Sequence, residues 1–447
     1  MRTRLLHIWE YLRTSFWLVP ALMTILAVGF AFLLVFIDRR IGSGVDDVFG
    51  FLYSGGPEGA RMVLSTIAGS MVTVAGVTFS ITIVALQLSS SQFGPRLLRN
   101  FMQDLGNQIV LGTYLSSFVY CLLVLRTVHT VEGREFVPSI SVAFAVVLAL
   151  AGVAVLIYFI HHISTSMQAE QVILAVSRDL EEKIQRLFPR ESEDGAEREL
   201  EAESARRIAE DSRELDTDVP AAQSGYLQAV DRHGLLEVAT ENDLLVTMPC
   251  RPGDFVVEGT PLVKVRSKEA LDESVARQLA GDVIVGALRT PEQDAEFAVH
   301  QLVEVAVRAL SPGINDPYTA VSCVDRLSSA LCFLCAREFP SPYLYDKEGN
   351  LRVVAKPGTF TGIVNAAFDQ IRQYGRESAA VTVRMLEALA AIASQSRTRE
   401  QREAVLRQAE MIERSSREGL HEKNDVEDVQ RRYRALLDLL GEEFPDR

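Results

Sequence analysis

The residues most able to do chemistry stand in one long apolar stretch. "TVAGVTFSITIVALQLSSSQFGPR", Thr73 to Arg96, carries hydroxyls and amides but no charge before Arg96. Within a bilayer such groups hydrate a pore or hydrogen-bond neighbouring helices, whereas proton relays and coupled transport call for titrating side chains. On a helix of 3.6 residues per turn, Thr66, Ser70, Thr73, Val77, Ser80, Val84, Gln87 and Ser91 form one stripe, polar at six of eight positions. Ala75, Thr78, Thr82, Ala85 and Ser89 fall on the opposite face, with larger apolar residues on both flanks. Close helix packing explains one small or polar face. A second face asks for helices on both sides, or for water on one. If copies of this helix surround an axis, the Thr66–Ser91 stripe lines it and the Ala75–Ser89 face packs on the subunit's own spans. Val77 and Val84 would then be dewetting constrictions. Packing alone and a pore stand level at this stage.

Four other constellations carry polar or titratable chemistry. In "ALSPGINDPYTA" the Pro312-Gly313 pair stops one helix, Asp316 can cap the next, and Pro317 suits a first turn. The bland reading is a structural joint. The sharper one makes Asn315 and Asp316 a ligand or subunit-contact site at the positive end of the second helix. In "QFGPRLLRNF" a Gly94-Pro95 break sets Arg96 and Arg99 beside Leu97, Leu98 and Phe101, as in an interfacial turn with arginines reaching lipid headgroups. His161 and His162 stand where a fourth apolar run meets polar sequence; with no further ligand nearby they read as interfacial anchors. Cys332-x-x-Cys335 lies inside an apolar helix, so core thiols are expected. No metal set, nucleotide loop or nucleophile elbow is present, and neither an enzyme nor a cofactor is expected.

Positioning these residues falls to four apolar runs, about 16–37, 62–88, 109–125 and 137–160, each near the roughly 17–25 residues that span hydrocarbon. The first follows Arg2, Arg4 and Arg13 but is too long for a signal peptide and lacks a small-residue cleavage site, so it reads as an uncleaved anchor. A slight excess of basic residues places both termini in the cytoplasm. Beyond span four a helical period continues into polar sequence, and residues 190–218 then hold twelve acidic and five basic residues, an exposed helix or solvated linker. From Gly225 to Val265, β-branched residues are cut by Pro-Gly, Gly-Asp and Gly-Thr-Pro turns, which predicts a small β-barrel or sandwich. "RPGDFVVEGTPLVKV" resembles the turn-strand pattern of biotinyl/lipoyl-like hybrid folds, without the lysine that those domains modify. The remainder is expected to be helical, over 291–310, 317–339, 361–374, 378–394, 400–417 and 425–440.

The chain has 447 residues, 48% hydrophobic yet 23% charged, a mixture that suits a membrane part joined to a water-facing one. Its net charge of −14 argues against nucleic acid as a partner. Five cysteines without framework spacing fit a reduced compartment. The expected organisation is a transmembrane domain over 1–163, a helical extension and acidic linker over 164–220, a β-rich domain over 221–290 and a helical domain over 291–447.

"TVAGVTFSITIVALQLSSSQFGPRLLRNF", "ALSPGINDPYTA" and the order of four spans before a cytoplasmic domain together resemble a bacterial family of membrane proteins catalogued as a domain of unknown function. The resemblance covers nearly the whole chain. It implies a bacterial inner-membrane location and brings no activity. The residues themselves lead to a homo-oligomer in contact with lipid, conducting ions passively through an axis lined by span two, with a slight cation preference from acids in the outer loop. The alternative is a non-conducting sensor or scaffold using the Ser311–Pro317 joint.

Overall fold

The structure is a computed structural model describing residues 16–41, 56–94, 104–131, 134–189 and 215–442. The chain divides into two compact units, Met1–Gln171 and Val172–Arg447.

Among the described residues of the first unit, four helices are long and apolar enough to cross a membrane: α1 (Leu18–Ile41), α2 (Pro57–Phe93), α3 (Leu105–Thr127) and α4 (Ser139–Ser166). Helix α3 packs against all three others. Its Tyr114 and Tyr120 hydroxyls, both buried, donate to the carbonyls of Gly152 (2.8 Å) and Ser141 (3.0 Å) on α4. Such bonds satisfy polar tips that lipid cannot. Asp38, near the end of α1, is buried and caps α4: its carboxylate accepts from the Ile140 amide (3.0 Å), the Ser141 amide (3.1 Å) and the Ser141 hydroxyl (2.6 Å). It is therefore committed to a helix terminus, and the expected attraction of cations by outer-loop acids loses this member. A hairpin of β1 (His129–Val131) and β2 (Arg134–Phe136) joins α3 to α4, a pairing too short for sequence alternation to show.

The polar helix expected to continue from span four is a separate element, α5 (Ala169–Leu187), set off by a break at Met167–Gln168.

In the second unit, where a small β-barrel or sandwich is expected, the strands form two open sheets and no barrel closes. One has the order β3 (Leu215–Pro220), β7 (Pro261–Ser267), β5 (Leu245–Thr247), β10 (Leu351–Val354), β9 (Tyr343–Tyr345). The other runs β6 (Phe255–Val256), β4 (Gly225–Val230), β8 (Val283–Gly286). All pairings are antiparallel except β5 with β10. Two helices that the strand-like sequence concealed, α6 (Arg232–Glu241) and α7 (Glu273–Gly281), belong to this layer. Leu235, Ala239 and Leu279 from them share one core with Leu227, Val246, Val263, Val265 and Val353 from both sheets. The turns at Gly253 (φ 96°) and Gly259 (φ 80°) need glycine, because a side chain is strained at positive φ.

Six helices complete this unit: α8 (Ala295–Ala309), α9 (Pro317–Cys335), α10 (Phe360–Gly375), α11 (Ala379–Gln395), α12 (Arg399–Gly419) and α13 (Lys423–Glu442). The region expected to be helical throughout therefore departs from that pattern at β9 and β10, which return to the larger sheet.

Candidate functional site

Helix α2 is 37 residues long, roughly 55 Å at 1.5 Å per residue, well beyond a hydrocarbon core of about 30 Å. Its two faces are sharply different. Ala75, Thr78, Thr82, Ala85 and Ser89 are buried against the subunit's own helices. Here the Thr78 and Thr82 hydroxyls donate to the carbonyls of Ala75 (3.0 Å) and Thr78 (2.8 Å), while the buried Ser89 hydroxyl has no hydrogen-bond partner. By contrast Thr66, Ser70, Thr73, Val77, Ser80, Val84, Gln87 and Ser91 are all exposed on the single subunit.

How the exposed hydroxyls satisfy themselves matters for what that face can meet. Ser70, Thr73 and Ser80 donate to the carbonyls of Thr66, Gly69 and Gly76, each at 2.8 Å. Each keeps its oxygen free to accept from water or another helix, at little desolvation cost. The Gln87 side chain makes no hydrogen bond among the described residues. Two glycines that the polar-residue count passed over, Gly69 and Gly76, border the stripe with nothing within 4 Å of a notional Cβ. A backbone could approach closely there, as small-xxx-small faces allow. Charged residues of α2, Glu58 and Arg61, stand only at its N-terminal end.

The Ser311–Pro317 joint is built as a helix stop and start. The Asp316 carboxylate accepts from the Thr319 amide (3.2 Å) and hydroxyl (2.6 Å), which holds its pKa below the usual range. Backbone bonds from Asn315 to Ser311 (2.9 Å) and from Asp316 to Ala309 (2.8 Å) close the turn. Asn315 is exposed and sits at φ 50°, in the left-handed region that asparagine tolerates. Ile314 and Tyr318 beside it are also exposed.

Arg96 and Arg99 lie outside the described residues. His162 is more than an anchor: its Nε2 lies 2.7 Å from Asp104 Oδ2, and Asp104 also caps α3 by accepting from Gly106 N at 2.7 Å. This ties the start of α3 to the last turns of α4, while His161 stays exposed. Spacing alone gave no sign of the pair, since its members stand 58 positions apart. Among the described residues, no group of three or more potential metal ligands comes together. Cys335 is buried, its thiol pushed up to about 12 by desolvation, which disfavours the thiolate that ligation or nucleophilic attack requires.

Among the described residues, four membrane-capable helices followed by a mixed α/β unit define a membrane protein. The chain belongs to the family described as predicted membrane protein DUF2254, whose model matches residues 13–391. It is 31% identical over 434 residues to uncharacterized proteins of Mycobacterium tuberculosis and Mycobacterium bovis, spanning 95% of this chain and 80% of each relative. No solved structure matches it.

Proposed function

We propose that this protein is a homo-oligomeric passive ion channel of the bacterial inner membrane, lined by α2, with both termini in the cytoplasm and no enzymatic activity. The observation that carries the reading is the exposure of the whole Thr66–Ser91 stripe while the opposite face of the same helix is buried. A subunit that covers its small face and leaves its hydroxyl face outward offers that face to other copies around an axis. Gly69 and Gly76 support close approach between copies, and hydroxyl rings would hydrate the path between Val77 and Val84. The lack of charge along the middle of α2 suits passive conduction better than coupled transport. Lipids, ions and a second copy of the chain are its proposed partners.

Single cysteines in a cysteine-free background test it. Those at Thr73, Ser80 and Gln87 should react with a charged thiol reagent and block conductance in reconstituted bilayers; those at Thr78, Thr82 and Ser89 should be protected. A thiol facing lipid does not ionise and is protected too, so the first set separates a water-lined axis from a lipid-facing stripe. Uniform protection, or no conductance in any variant, would leave the stripe as packing surface.

A second reading, a non-conducting scaffold using the Ser311–Pro317 joint, is favoured by the outward Ile314 and Tyr318. In that reading Asn315 and Asp316 shape the turn that presents them.

A further inference from the structure

The second unit holds a concavity of about 340 Å³, within the range of small-molecule sites. Four cations line it, Arg186, Arg232, Arg251 and Lys356, against two carboxylates, Asp294 and Glu296. Both carboxylates are already engaged. Asp294 binds Arg289 Nε at 2.5 Å and caps α8 through the Phe297 amide at 3.0 Å, and Glu296 pairs with Arg251 at 2.7 Å. Arg186 pairs with Glu292 at 3.0 Å, and Lys356 with Asp254 at 2.7 Å.

Arg232 is different. No carboxylate pairs with it among the described residues. One Nη donates to the Ser341 carbonyl, and its Nε is buried without a hydrogen-bond partner. Burial alone holds its guanidinium below the ordinary arginine value. A half-buried, uncompensated guanidinium is costly unless something supplies the missing charge and acceptors. Around it the wall is apolar and stiff: Phe339, Pro340 and Pro342 on one segment, Pro357 and Ile363 on another. Phe188 meets Phe339 with ring centroids 4.7 Å apart. Prolines and packed rings keep such a wall open without the entropy cost of ordering it on binding.

We propose that this pocket binds a small organic phosphate, a dianion on a flat apolar body, with Arg232 as its charge anchor. Arg232 supplies the one lining charge without a carboxylate partner among the described residues, its remaining guanidinium donors meet the phosphate oxygens, and the ring takes the Phe–Pro wall. This ligand site is independent of the conduction reading. It needs only the second unit.

Calorimetric titration of the full chain in lipid nanodiscs with phenyl phosphate tests it, empty nanodiscs giving the baseline. Phenyl phosphate should bind saturably, and more tightly than either inorganic phosphate, which lacks the ring, or benzyl alcohol, which lacks the charge. Arg232→Gln should weaken binding about tenfold or more, the size of one charge-assisted hydrogen bond, and Arg232→Lys should recover part of the loss. Arg232 also holds the Ser341 carbonyl, so a second variant approaches from another side. At Gly358 a Cβ would meet only Arg251 Nη1, at 3.8 Å, and Gly358→Phe should fill the pocket and abolish binding with the melting temperature unchanged. Absence of saturable binding, equal affinity for either control compound, or wild-type affinity in both Arg232→Gln and Gly358→Phe overturns the assignment.

Discussion

In α12 the buried positions include Ala404, Val405, Ala409 and Ile412, while Glu403, Arg407, Arg414 and Arg417 face outward. In α2 the buried positions include Ala68, Ala75, Thr78, Thr82 and Ala85 alongside Leu64, Met71 and Phe93, whereas Val77, Ile81, Ile83, Val84 and Leu88 stand outward. One helix turns charge outward and the other turns large apolar side chains outward. The charged outward face of α12 suits water, from which the removal of apolar area drives packing. Around α2 most of the exterior is apolar, so hiding a leucine gains little, and what is buried is whatever lets backbones come close. The outward hydroxyl stripe is the exception to both rules, which is why it carries the functional proposal.

The largest effect expected from this contrast is in the second unit. Phe368 is fully buried in α10, and Phe368→Ala should destabilise by about 3–5 kcal/mol, read from the midpoint of denaturant unfolding. In α2 the rule inverts. Ala75 packs with Met71, Tyr114 and Phe159, so Ala75→Leu should cost about 1–3 kcal/mol through overpacking. Ile83→Ala, on the outward flank, should stay within about 0.5 kcal/mol. Thermal melting in detergent compares the two; an Ile83→Ala loss as large as that of Ala75→Leu would mean the flank is packed in the assembly.

Legibility in the sequence followed the same division. The four apolar runs and the last four helices were readable to within a few residues, because length and a 3.6-residue period are strong signals in either solvent. Thr398 and Gln401 form the reciprocal box that opens α12, a signal the periodicity reading did not use. Helices α6 and α7 were missed because short segments between glycines and β-branched residues have no room to show a period. Strands β9 and β10 were missed because three or four residues returning to a distant sheet are fixed by tertiary pairing, not local pattern. The two faces of α2 were legible from spacing alone. The Asp104–His162 and Asp38–Ser141 contacts were not, since they depend on which helix ends meet.

A smaller effect sharpens the reading of the joint. Asp316→Ala removes both bonds to Thr319 and should cost about 0.5–2 kcal/mol, while Asp316→Asn, still able to cap, should cost much less. Since its folded pKa is depressed, the stability Asp316 contributes is present above its unfolded value of 3.8 and is lost as pH falls through the folded pKa. The difference between Asp316→Ala and wild type should therefore shrink in acid. Loss of function in both variants at unchanged stability would instead make the joint a site that needs the charge.

The smallest effect concerns a carboxyl that the fold does not favour in its charged form. Asp282 follows α7, its Oδ1 only 2.7 Å from where a Cβ on Gly234 would lie. Burial, and then the negative charges of Asp231 and Glu237, push its pKa up to about 6. The folded state thus holds this proton more tightly than an unfolded chain, whose carboxyl titrates near 3.8. The stability from that difference is fully present below the unfolded value and is lost as pH rises through about 6. Asp282→Asn keeps the shape and drops the charge. At pH 7.5 it should be the more stable protein by about 1 kcal/mol, a figure reduced for solvent screening of a half-buried group. At pH 4, where wild-type Asp282 is protonated in the folded state and nearly half protonated in the unfolded one, the advantage should fall to a small fraction of that. Melting temperatures of the two proteins across that range decide the matter. A gain that persists in full at pH 4 would come from packing against α6, and no gain at pH 7.5 would mean that water reaches the carboxylate freely.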